Sequence, residues 1–274
     1  MTVDDVRTAD AVEAEAWTDM IAAAPPPFTA AVGLSVREID GAICLVAPRI
    51  PVTLFNRVIG LGVLGAWDAA SLSLVEALYA EAGSSRFWIH AGAASPPELS
   101  AALASRGFTV PPRARWAKVL RRGGTPPDVS PSLTVREPRP EERDAVAKVI
   151  VHAHGMAPPM IGWVTVLAAR ERWTTFGVFD GSEVVGGGLL YARAGRAWLG
   201  LGGVLESHRR RGGQRGLMAA RIRRALETGH ECIVTETGEP VGDDPNPSLA
   251  NMLWAGFRRV DSRTNFESPP GTAG

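Results

Sequence analysis

The stretch HRRRGGQRGLM, residues 208–218, sets four arginines and three glycines around a single glutamine. An apolar run, AWLGLGGVL (197–205), precedes it, and QRGLMAARIRRALETG (214–229) follows with apolar residues at Met218, Ile222 and Leu226. That i, i+4, i+8 spacing predicts a helix, with Arg215, Arg221, Arg223 and Arg224 expected on its solvent side. The apolar run before it reads as a strand over 196–206. A helix start leaves backbone N–H groups without internal partners and carries a partial positive charge. Gly212 and Gly213 remove side-chain bulk there, and Arg209, Arg210 and Arg211 add formal charge. Such a junction suits a phosphate or pyrophosphate. The same residues also read as a solvated basic turn that merely caps a helix. No GKS or GKT follows, so it is not a Walker loop, and Gly200, Gly202 and Gly203 lie inside the strand, out of register for a dinucleotide fingerprint.

Working outward, the order of elements repeats. From LGLGGV (199–204) the chain runs through the helix 214–229, a strand ECIVTET (231–237), a helix PSLANMLWAGF (247–257) and a strand RVDSRTNF (259–266). From IGLGV (59–63) it runs through SLSLVEALYAEAG (71–83), RFWIHAG (86–92), PPELSAALASRGF (96–108) and RARWAKVL (113–120) in the same order. The interval from Gly83 to Gly107 is 24 residues and that from Gly229 to Gly256 is 27, so the two series differ by a loop insertion. RRGGTPPDVSPS (121–132) has linker composition. The expected division is therefore a first domain over 1–122, a linker over 123–132, a second domain over 133–267 and a disordered tail over 268–274. The second domain has its own front end: a strand LTVREP (133–138), a helix EERDAVAKVIVHAHG (141–155), the segment 158–172, a strand WTTFGVFD (173–180), an Asp180-Gly181 hairpin turn and the strand EVVGGGLLYARA (183–194). The whole predicts a mixed α/β, mainly antiparallel sheet flanked by helices.

Composition narrows the function classes. The 274 residues are 45% hydrophobic and 21% charged, with 29 basic and 29 acidic residues and a formal net charge of +0. Such a balance argues against a nucleic-acid partner, and the basic patch lacks interleaved aromatics. Cys44 and Cys232 have no CxxC or metal-spaced His partners, which predicts a reduced, cytoplasmic protein without a metal site. The first residues, MTVDDVRTADAVEAEAW, are acidic and lack the apolar core of a signal peptide. The longest apolar run, near 58–67, is too short and glycine-rich to span a membrane.

The loop and its surroundings resemble the GNAT superfamily of acetyl-CoA-dependent N-acetyltransferases. Arg209-Arg210-Arg211-Gly212-Gly213-Gln214 is similar to that family's (Arg/Gln)-x-x-Gly-x-(Gly/Ala) loop, with Gln214 departing at the last position. Val204 lies five residues before the Arg, and NPSLANMLWAGFRRV (246–260) looks like the family's late helix, ending in Gly256-Phe257 and a strand. The resemblance covers about 140 residues and implies a GNAT-like fold, tandem if the first half is a copy. It implies that Gly203 and Val204 would pair with the pantetheine arm of acetyl-CoA. The amides from Arg210 to Gln214, helped by Arg209 and Arg211, would hold the pyrophosphate, with Asn246, Ser248 and Asn251 near the arm or thiol. An acceptor amine, on a small molecule or a peptide, would attack the thioester directly. A tyrosine common in the family, four residues before the Gly of Gly-Phe, is Met252 here, which cannot protonate a thiolate.

The base is open between Glu236, which also reads as a turn or salt-bridge residue, and Glu206, which also reads as a solvated strand end. His208 reads as capping, His152 and His154 as helix positions facing different ways, and His90 as structural. In the first half, VLGAWDAAS (63–71) stands where a cofactor loop belongs and has no arginine. That half is expected to have lost the cofactor site and to shape an acceptor pocket, with Trp67, Trp88 and Trp116 as candidate walls. The leading expectation is an N-acetyltransferase, as a monomer or homodimer. The alternatives are a non-catalytic acyl-CoA-binding regulatory module and a basic-turn interaction protein.

Overall fold

The computed structural model describes residues 2–50, 52–130 and 132–270. In chain order the elements are α1 (Val3–Ala22), α2 (Pro26–Val32), β1 (Ser35–Ile39), β2 (Ala42–Val46), β3 (Arg57–Ile59), α3 (Ala69–Ala82), β4 (Trp88–Ala91), α4 (Pro97–Ser105) and β5 (Arg115–Arg122). There follow β6 (Thr134–Arg136), α5 (Arg143–Ala153), α6 (Ile161–Leu167), β7 (Trp173–Asp180), β8 (Glu183–Arg193), β9 (Arg196–Val204), α7 (Gly213–Glu227), β10 (Cys232–Gly238), α8 (Pro247–Trp254) and β11 (Arg258–Glu267). The repeated strand–helix–strand–helix–strand series of both halves is present, within a few residues of its expected bounds.

All the strands join one sheet in the order β1-β2-β3-β4-β11-β5-β10-β9-β8-β7-β6. The order contains an exchange. The last strand of each half does not lie beside its own predecessor. Instead β11 pairs antiparallel with β4, Asn265 opposite His90, and β5 pairs antiparallel with β10, Val119 opposite Thr235. The two exchanged strands then pair with each other, Leu120 opposite Arg258. Each half thereby covers the other's open sheet edge, which would otherwise expose a row of unpaired backbone groups. Ser268, expected to begin a disordered tail, is instead buried and exchanges hydrogen bonds with the Phe87 backbone, extending this pairing by a residue. Residues 271–274 of that expected tail lie outside the described residues.

Helix α1 lies across the seam. Its contacts reach β1, β2 and β3 of the first half, β9 and β10 of the second, and both exchanged strands. Thr2 caps it by accepting from the Asp5 amide at 3.2 Å. Its buried face includes Val6, Ala9, Glu13, Ala16, Trp17 and Met20, a 3.6-residue period in which one member is a carboxylate. Asp5 ties the first turn to both exchanged strands, through Arg122 at 3.0 Å and Arg258 at 2.8 Å. Both cysteines are free and buried. Among the described residues no helix is long and apolar enough to cross a membrane, and no group of His, Cys, Asp and Glu is arranged to hold a metal.

Candidate functional site

The site begins with a fault in the sheet. Opposite Gly187 and Leu189 of β8, strand β9 offers Gly203 and Gly200, so one extra residue is accommodated on β9. Leu201 takes a left-handed φ of 47° to do so. Such a bulge bends its strand and increases its twist. Accordingly β9 runs parallel to β10 only from Arg196 to Trp198, opposite Cys232 to Val234. The Thr235 hydroxyl, donating to the Leu199 carbonyl at 2.7 Å, is a tie just past that pairing. Beyond it β9 and β10 diverge, and a cleft opens between them.

Arg221 props the fault from below. The apolar stripe of α7 predicts this arginine in solvent, but it is 3% exposed. Its Nε donates to the Leu217 carbonyl, and its Nη1 donates to the carbonyls of Leu189 and Gly200, each at 3.2 Å. The bulge leaves acceptors that the regular ladder does not satisfy, and a long guanidinium on the facing helix reaches them. Burial lowers the Arg221 pKa to about 10, still well above neutrality. The glycines of β9 follow from the same packing. A Cβ on Gly202 would stand 2.7 Å from Arg221 Nη2, and one on Gly203 would stand 2.8 Å from the Ala153 Cβ.

The outer part of the cleft has a volume of about 800 Å³. It is lined by Gly203 and Val204 on β9, by Arg209, Arg210, Gly212, Gly213 and Gln214 at the start of α7, and by Asn246, Ser248 and Asn251 at α8. Gly212 is the N-cap of α7, at φ 78°, and gives it no side-chain cap. Among the described residues no protein acceptor takes the amides of Arg210 through Arg215. The rim of the cavity thus combines free N–H groups, a helix N-terminus and the guanidinium side chains of Arg209, Arg210 and Arg215, an arrangement that attracts anions. Arg211 is not part of this lining: its guanidinium grips Asp180 at 2.6 and 3.2 Å. The Asn246 side chain lines the cavity but is already engaged. Its Oδ1 accepts from the amides of Ser248 and Leu249, capping α8, and its Nδ2 donates to the Gly238 carbonyl.

The corresponding helix of the first half is closed to anions. Asp68 caps α3 by accepting from the Ser71 amide at 2.8 Å, and the Asp40 carboxylate accepts from the Ser71 hydroxyl at 2.6 Å. Two carboxylates therefore stand where α7 presents bare amides and arginines.

Deeper, the cleft continues into a chamber of about 260 Å³. His154, Gly202, Gln214, Thr237 and Ser248 line both spaces and mark their junction. Glu236 on β10 lies in the chamber with its side chain 7% exposed. Trp198 Nε1 donates to its two oxygens at 3.2 and 3.1 Å, and Lys118 Nζ stands 3.7 Å away. Burial, and then the nearby Glu13 charge, raise its pKa above the ordinary carboxylate value. Glu206 lines neither space. Its side chain is 89% exposed and pairs with Arg209 at 3.5 Å.

Of the three tryptophans read as possible pocket walls, Trp116 lines the chamber. Trp88 stands behind it, edge to face at 6.1 Å, and Trp67 packs on the core of the first half. Trp17 and Leu54, both from the first half, complete the wall and were not legible as such. Behind this wall lies a buried ion cluster centred on Glu13 of α1. Arg57 Nη2 reaches it at 2.9 Å, Arg263 at 2.6 and 3.1 Å, and Lys118 also pairs with it. Burial opposes the Glu13 charge, but Arg263, Lys118 and Arg57 together hold its pKa well below the usual range. His154 was read only as a helix position. At the junction its ring has a pKa lowered by burial, so it is neutral near pH 7.

No family model and no curated protein sequence matches the chain. Solved structures do. A GCN5-related N-acetyltransferase from Kribbella flavida superposes with a TM-score of 0.63 at 16% identity, over 97% of this chain and 96% of that one. One from Sphaerobacter thermophilus gives 0.63 at 16% identity, over 85% and 82%. A tandem GNAT protein from the clavulanic acid biosynthesis pathway gives 0.57 at 15% identity, over 75% and 70%. The chain therefore has the mixed α/β fold of the GNAT N-acetyltransferases, with neighbours that include a tandem member of that class.

Proposed function

We propose that the chain is an acetyl-CoA-dependent N-acetyltransferase with a single cosubstrate site, in its second half. The observation that carries this reading is the cleft between β9 and β10, whose rim offers amides from Arg210 to Arg215 that have no protein acceptor among the described residues, beside Arg209 and Arg210. The residues fit the cosubstrate in kind. The amides and guanidinium groups complement a pyrophosphate. The free edge of β9 at Gly203 and Val204 complements the amide groups of a pantetheine arm, as an added strand would. Acetyl-CoA would supply an acyl group activated as a thioester.

The chain's own residues would do the rest. Glu236, desolvated in the chamber, accepts a proton from the acceptor ammonium, directly or through water. The freed nitrogen attacks the acyl carbon, the C–N bond forms, the nitrogen's second proton passes to the departing sulfur or to water, and the C–S bond breaks so that CoA leaves. Met252 lines the chamber and supplies no proton. The hydroxyls of Ser248 and Thr237, at the junction of the two spaces, are the groups available to donate to the departing sulfur. CoA thiolate is a good leaving group, so a strong acid is not required. Glu206 and Arg211 have no part in this scheme, and Asn246 acts as the cap that orients α8.

Calorimetry with acetyl-CoA, followed by CoA-thiol release over a panel of amines, tests the reading. Micromolar binding with turnover supports it. Binding without turnover would leave a non-catalytic acyl-CoA-binding module, and absence of binding would discard any CoA function.

A further inference from the structure

The inner chamber differs in chemistry from the cleft that leads to it. Three indoles wall it: Trp17 from α1, Trp116 from β5 and Trp198 from β9. Leu54, Leu199 and Met252 add apolar surface. Trp17 and Trp198 meet edge to face at 6.0 Å, so the wall is continuous between the two halves of the chain. Its acidic group among the described residues is Glu236. Arg221 is the cation of the lining, and its Nε and Nη1 are committed to backbone carbonyls. Arg57, Lys118 and Arg263 stand behind the wall and are held by Glu13, with Lys118 also 3.7 Å from Glu236. Indole faces and a buried carboxylate both favour an organic cation. A second negative charge on the same ligand would be desolvated beside Glu236, with Arg221 Nη2 as the one uncommitted cationic donor of the lining among the described residues, which is costly.

We propose that this chamber takes a compact primary ammonium on an apolar, preferably aromatic, skeleton that has no carboxylate or phosphate of its own. The proposal rests on the acetyltransferase reading and specifies its acceptor. The space of about 260 Å³ holds a ligand of roughly nine non-hydrogen atoms, taking ~30 Å³ for each water-sized unit. An arylalkylamine fits, while an amino acid brings the excluded charge and a peptide exceeds the volume.

Matched pairs test it: 2-phenylethylamine against phenylalanine, and benzylamine against phenylglycine, with an N-terminal tripeptide as a third class. In CoA-thiol release each amine should exceed its amino acid by at least about tenfold in kcat/KM, because the amino acid's carboxylate is desolvated without a matched partner. Leu54→Trp, which fills the chamber from the first half, should lower the amine's kcat/KM by a similar factor. Its acetyl-CoA affinity by calorimetry should stay unchanged. Amino acids or the tripeptide turned over as well as the amines would overturn the proposal, as would an unaffected L54W variant. Indole fluorescence provides a readout independent of acetyl-CoA. Quenching by phenylethylamine and not by phenylalanine supports the chamber assignment even if acetyl-CoA fails to bind; equal quenching, or none from either, sinks it.

Discussion

Replacing Glu13 by glutamine keeps the side chain's shape and removes one charge at the centre of the seam. The residue is 0% exposed and lies within 3.1 Å of two guanidinium groups, with an ammonium also in contact. Each pair at about 4 Å has a gross attraction of about 4 kcal/mol at an effective dielectric near 20, set against several kcal/mol per ion for desolvation. What the substitution measures is the cost of leaving three buried cations with only the more distant carboxylates of Asp10 and Glu236. Removing one partner of a buried pair costs about 3–5 kcal/mol. That is a large part of the ~5–15 kcal/mol that holds a typical folded chain together. Because Arg57, Lys118 and Arg263 belong to β3, β5 and β11, the loss falls on both exchanged strands at once. Glu15→Gln supplies the control, on the same helix and with one partner, Arg196 at 2.7 Å, but 29% exposed. It should cost at most about 1 kcal/mol. Urea denaturation followed by fluorescence measures both. If E13Q unfolds within about 1 kcal/mol of the parent, the cluster is not what fastens the halves, and the reasoning from burial to stability fails.

Three other outcomes follow from the site. Gly212→Glu places a carboxylate among the free amides and forces a side chain onto a φ of 78°, a strain of about 1–2 kcal/mol; calorimetry should show acetyl-CoA affinity falling by at least about a hundredfold (~2.7 kcal/mol), and retained affinity would remove the loop assignment. Arg221→Met leaves buried carbonyls of Leu189 and Gly200 without their donor, and should lower stability in urea by about 1–3 kcal/mol. Glu236 has a raised pKa and works as a base only when ionised, so kcat/KM should fall with decreasing pH through a limb above the ordinary carboxylate range. Glu236→Gln should abolish that limb along with most of the activity; an unchanged pH profile would reassign the base.

Much of the fold was legible because it is locally encoded. Asp180-Gly181 specifies a hairpin through turn chemistry, and β7 and β8 flank it as expected. The helix after Gly212 and the strand before it announced themselves by a change of apolar period at a pair of glycines. The sequence shows no arginine in 63–71, but the capping of α3 by Asp68 and Ser71 is a finding of the structure. Helix α1 was not recognised. Asp10 and Glu13 interrupt its apolar stripe, and a carboxylate on a buried face looks like a solvent position until its cations are known. Arg221 failed for the mirror-image reason, since only the bulge it supports explains an arginine inside.

The amino-acid sequence alone determined the order of elements, the likeness of the two halves and the position of the bare helix start after Gly212. These depend on contacts between residues close in the chain. The tertiary structure decided which strand each half closes against. It also decided which carboxylate is desolvated, Glu236 rather than Glu206, and which indoles surround it. Those outcomes depend on groups brought together from α1, β5, β9, β10 and β11, and no local pattern records the dielectric or the partners that a side chain meets only after the sheet has formed.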